Sequence, residues 1–70
     1  MSHRANKLIH DIRNPLNTIS MHAELSRLLI ESGDTSKALA SLGIIIESCH
    51  DSSELLSALS DELKHDSSDH

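Results

Sequence analysis

The chain has no Phe, Tyr or Trp, so the bulkiest core side chains are missing. Any core must be built from Leu and Ile faces. Seventy residues bury little surface, and a fold this small rarely stands comfortably alone. A single cysteine, Cys49, excludes an intrachain disulfide and reads as a small buried apolar residue. The two glycines, Gly33 and Gly43, lie in no phosphate-cradling motif, and no P-loop is present. No apolar run approaches membrane-spanning length, and no signal-peptide pattern opens the chain. A membrane location is not expected, and a reducing cytoplasm fits best. There is no concentrated basic patch, which argues against nucleic acid as a partner.

The formal net charge of -5 is unevenly spread. Residues 1–30 carry four cations against two acids, a net of +2, whereas residues 31–70 carry two cations against nine acids, a net of -7. Thirteen serines weaken local helix preference. Even so, the apolar pattern is helical throughout. Apolar or small residues recur at Ala5, Ile9, Ile12, Leu16, Ile19, Ala23, Ser26 and Ile30, in alternating steps of four and three. The pattern resumes in the same alternation at Ala38, Leu42, Ile45, Cys49, Ser52, Leu56, Leu59 and Leu63. Between them, Gly33 suits a left-handed helix stop, and Asp34 or Thr35 suits the next helix cap.

The spacing predicts one domain over 1–70: a helix over about 3–31, a turn at 32–35, a helix over about 36–64 and a polar tail at 65–70. The polar cluster His50-Asp51-Ser52-Ser53 does not divide the second helix, because the apolar seam keeps its phase on both sides. The fold class is therefore all-α, an antiparallel helical hairpin with one exposed apolar groove. Pairing two hairpins would close a homodimeric four-helix bundle.

One local run stands out against this pattern: His10-Asp11-Ile12-Arg13-Asn14-Pro15-Leu16. It resembles the H-box of bacterial two-component sensor histidine kinases, His-(Glu/Asp)-(Leu/Ile)-Arg-(Thr/Asn)-Pro-Leu, at all seven positions. The resemblance continues through Asn17, Thr18 and Ile19 and covers roughly residues 5–64. In that family the segment is the dimerisation and histidine-phosphotransfer domain, of HisKA type, and its histidine carries a phosphoryl group.

The resemblance implies that His10 is the phosphoacceptor. His10 lies off the 9–12–16 seam and should face solvent, and a neutral imidazole is a good nucleophile near pH 7. Asp11 points about 100° away on a helix. The family acid at its position helps attract the imidazole proton and meets the ATP-binding domain. Asn14 lies one turn beyond His10 on the same face. There it either holds a water for dephosphorylation of a response regulator or is simply an exposed amide. Pro15 removes an intrahelical hydrogen bond at a cost of about 3 kcal/mol and reads as a built-in kink. Arg13 fits either a phosphate or acid contact or plain solvation.

Asn17 and Met21 follow His10 and Asn14 along one face, with Thr18 and His22 flanking it. The family places response-regulator contacts one to three turns below the histidine, at these positions. Met21 equally fits a wide core stripe with Leu25 and Leu28. The remaining histidines have no close ligand spacing, so no metal is expected. An ATP-binding domain with its glycine-rich boxes is missing, so ATP and Mg would be bound by a separate kinase domain, in cis or in trans, and this chain needs no cofactor of its own. It is either a cut-out domain or a small free-standing phosphotransfer protein. The expected partners are a second copy, a receiver domain and that kinase domain. The alternative is a non-catalytic helical module that docks on a kinase or a response regulator.

Overall fold

Two long helical segments and one strong stop signal divide the chain. The computed structural model describes residues 3–68, with side chains described for 3–64. α1 runs His3–Glu31 and α2 runs Thr35–Ser68. The result is an all-α antiparallel hairpin, a rod of 57 × 14 × 11 Å. α1 matches its expected limits. α2 begins one residue early and continues through 65–68, where a polar tail was expected. The helical ladder needs only backbone donors and acceptors, and Ser, His and Asp each weaken it by only fractions of a kcal/mol. The end of the expected tail, at residues 69–70, lies outside the described residues. No break occurs at His50–Ser53.

The reversal is built by backbone conformation. Gly33 adopts φ +85°, a region that other residues enter only at a cost. Its amide donates to the Ile30 carbonyl at 3.1 Å, and the Asp34 amide donates to Leu29 at 2.8 Å. This pair of bonds is the Schellman motif that satisfies the last carbonyls of a helix. Asp34 then caps α2, its Oδ1 accepting from the Lys37 amide at 3.1 Å.

The two helices meet along seven-residue rows that only half match the expected seam. Ala5, Ile12 and Ser26 are buried on α1, with Ile19 half-buried in the same row. The companion row is Leu8, Pro15, His22 and Leu29, all half-buried. On α2 the seam is Ala38, Ser41, Ser48 and Ser52, buried, with Ile45, Leu55, Leu59 and Glu62 half-buried. The rows Ile9–Leu16–Ala23–Ile30 and Leu42–Cys49–Leu56–Leu63, expected in the seam, are exposed. Cys49, expected to be buried, is exposed with them.

The physical reason is geometric. Two helices in a hairpin need only one narrow stripe each, and the rows one step outside that stripe face solvent. Among the described residues, no large side chain is fully buried; the buried apolar ones are Ala5, Ile12 and Ala38. No helix among the described residues is long and apolar enough to cross a membrane.

Candidate functional site

The run from His10 to Leu16 lies in the first half of α1, at the end of the rod away from the turn. His10 projects from the outer side of the helix and is exposed. Asp11 turns toward the flank of the seam and is half-buried. Its Oδ2 accepts from Lys7 Nζ at 3.2 Å, one helical turn earlier. Such a surface pair contributes little and exchanges readily. The acid is therefore adjacent to His10 but is held by a lysine rather than by the imidazole.

α1 runs unbroken through Pro15. The ring occupies a seam position, and the Asp11 carbonyl loses its intrahelical donor there. One turn on, Thr18 Oγ1 donates to the Asn14 carbonyl at 3.2 Å, a back-bond that tends to bend a helix rather than stiffen it.

Asn14 and Thr18 form one wall of an open groove of about 540 Å³. Pro15 and Ser48 line its floor, and Asp51, Glu54 and Leu55 of α2 form the facing wall. The three α2 wall residues were not among the sequence candidates. Counting back from the turn would have found them, since an antiparallel hairpin sets Asp51 opposite Asn14. Glu54 is engaged with His50, whose Nε2 lies 3.4 Å from its Oε1.

The other candidates separate onto different surfaces. Asn17 and Met21 are exposed with His10 on the outside of α1, Met21 with 63 % of its surface free. Met21 is therefore no part of the hairpin core. Arg13 lies on the opposite flank, where it lines an apolar groove with Ile9, Ile12, Leu16, Leu56 and Leu59. His22 is half-buried in the seam, with Nδ1 3.1 Å from Ser41 Oγ of α2. Twelve residues past His10 is a third of a turn out of phase, and that offset rotates His22 into the seam.

Charge perturbation lies away from this region. Arg27 hydrogen-bonds Glu24 and attracts it electrostatically, which holds the Glu24 carboxyl below its ordinary value and raises the guanidinium. Both groups are exposed on the turn-proximal half of α1. Among the described residues, no three His, Cys, Asp or Glu side chains converge to hold a metal ion. What the region around His10 offers chemically is an exposed imidazole, a neighbouring carboxylate and an amide one turn away. No protein-family model, curated protein or solved structure matches this chain.

Proposed function

We propose that this chain is the dimerisation and histidine-phosphotransfer module of a two-component signalling system, acting in the cytoplasm. The observation that carries the reading is His10, exposed on the outer face of α1 inside a run that fits the H-box at every position. An imidazole nitrogen attacks the terminal phosphorus of ATP, which a separate kinase domain holds with Mg. A P–N bond forms and the bond to ADP breaks. Asp11 draws off the imidazole proton, exchanging its lysine partner as it does so. In the next step an aspartate of a receiver domain attacks the phosphorus and the P–N bond breaks. Asn14, one turn below, positions a water if the module also dephosphorylates the receiver.

Two copies form the working unit in this reading. The exposed rows Ile9–Leu16–Ala23–Ile30 and Leu42–Cys49–Leu56–Leu63 make one apolar face along the hairpin, and a second copy covers it to close a four-helix bundle. The groove shared by Ile9, Leu16 and Leu56 supports this, because it joins the two rows on one side of the rod. The receiver docks over His10, Asn14, Asn17, Thr18 and Met21. Arg13, beside the apolar face, and His22, in the seam, lie outside that footprint.

The test is transfer. The chain is incubated with a kinase ATP-binding domain and labelled ATP, or with a phosphorylated receiver, and acid-labile phosphate is measured. Label on the wild type and none on His10→Gln is the expected result. Equal label on both would remove His10 from the mechanism. No label from any donor would favour a non-catalytic docking module on the same surface.

A further inference from the structure

Ser26 is 4 % exposed, and its hydroxyl is the one buried side-chain polar group without a hydrogen-bond partner among the described residues. A hydroxyl inside a helix ordinarily donates to the carbonyl four residues back. Thr18 does so to Asn14, at 3.2 Å, and Ser52 does so to Ser48, at 2.9 Å. For Ser26 that carbonyl belongs to His22. It already accepts the helical amide of Ser26. It also accepts Ser41 Oγ, which reaches across from α2 at 3.0 Å. A carbonyl oxygen has two lone pairs, so both are taken. Ser41 holds the place on that carbonyl that the Ser26 hydroxyl would otherwise take.

The same contact bears on a proton. Ser41 Oγ has one hydrogen, and the His22 carbonyl at 3.0 Å can only accept it. With that hydrogen on the carbonyl, the hydroxyl accepts from the ring, 3.1 Å away. In that arrangement neutral His22 carries its proton on Nδ1 and leaves Nε2 bare.

We infer that His22, Ser41 and Ser26 form a two-position latch between the helices. In the closed position Ser41 bridges the backbone and ring of His22, and Ser26 is stranded. In the open position α2 disengages locally and Ser26 donates to the His22 carbonyl. Ser41 and the imidazole then turn to water in the adjoining open groove of about 420 Å³, which is lined also by Leu25, Leu29, Lys37 and Ile44. Closing gains two bonds between helices but leaves one buried hydroxyl unmet, and these opposing effects are of similar size. The latch thus has a built-in counterweight. It controls how the turn-proximal halves of α1 and α2 sit together, and it is independent of the phosphotransfer reading.

Two measurements on the full chain test it. Long-range 1H–15N correlation at a pH where the ring is neutral should show His22 as the Nδ1–H tautomer, with its signals assigned by their loss in His22→Gln. The Nε2–H tautomer would overturn the latch. The second measurement is the melting temperature of Ser26→Ala, in the wild type and in Ser41→Ala. Each change is referenced to Ser20→Ala, an exposed serine of the same helix that reports helix propensity alone. Removing Ser26's hydroxyl should raise the melting temperature by about 4 °C when Ser41 is present and lower it by about 4 °C when Ser41 is absent. A shift of the same sign in both backgrounds would overturn the counterweight. Should Ser41→Ala fail to fold, the wild-type tautomer decides alone.

Discussion

The seam between the helices and the row just outside it differ in a direction opposite to the usual one. Inside lie Ala5, Ser26, Ala38, Ser41, Ser48 and Ser52, with Ile12 the largest buried side chain. Outside lie Leu16, Ile30, Leu42, Leu56 and Leu63, all exposed. A soluble chain normally buries its Leu and Ile and leaves its serines in water. Here the small polar residues let two helices approach, and the large apolar ones wait on the surface. The hairpin by itself therefore gains little from the hydrophobic effect, at roughly 25 cal/mol per Å² of apolar area. The exposed row is where most of that gain remains to be made, which is why the proposed second copy belongs there.

The largest effect should come from breaking the outer row. Leu56→Glu places a charge in the middle of the exposed apolar face, where the proposed second copy would bury it without a partner. The expected outcome is loss of assembly by sedimentation, with loss of most of the helical signal by circular dichroism at the same concentration. A variant that stays fully helical and unchanged in mass would mean that the inner seam suffices.

A middle effect belongs to the turn, which is part of neither row. Gly33→Ala meets no neighbouring atom, so its whole cost is the positive φ, about 1–2 kcal/mol. Chemical denaturation should show that loss with an unchanged assembly state. The smallest effect should come from the seam. Ser52→Ala removes a hydroxyl bonded only to its own helix, at Ser48, and should change stability by less than about 1 kcal/mol. A loss near that of Leu56→Glu would erase the contrast between the two rows.

Much of this architecture was legible before any coordinates. Gly33 and Asp34 announced the stop and the start, and the three–four spacing announced two helices. The row Ala5–Ile12–Ile19–Ser26 was named as seam and lies there. Its companion was misassigned because periodicity reports which rows are apolar, not which neighbour each row faces. Ile9 and Leu16 looked more like core than Pro15 and His22 do, yet the hairpin uses the latter pair. The facing wall of Asp51 and Glu54 is invisible to periodicity along either helix and appears only when residues are counted across the turn. His22 is expected to flank the outer face because the resemblance places partner contacts one to three turns below the histidine. One residue is a rotation of about 100°, enough to carry it from outside to inside.

The serines buried along the seam also set how the two contacts respond to cold. Apolar area gives a positive heat-capacity change on exposure, and polar area gives a negative one. Prising α1 from α2 exposes hydroxyl and apolar groups together, so the heat-capacity change per unit area is smaller there than on an all-apolar row. An interface made on the Leu and Ile row would lack that offset and would weaken on cooling. Chilling would therefore weaken such an interface more than it weakens the serine seam.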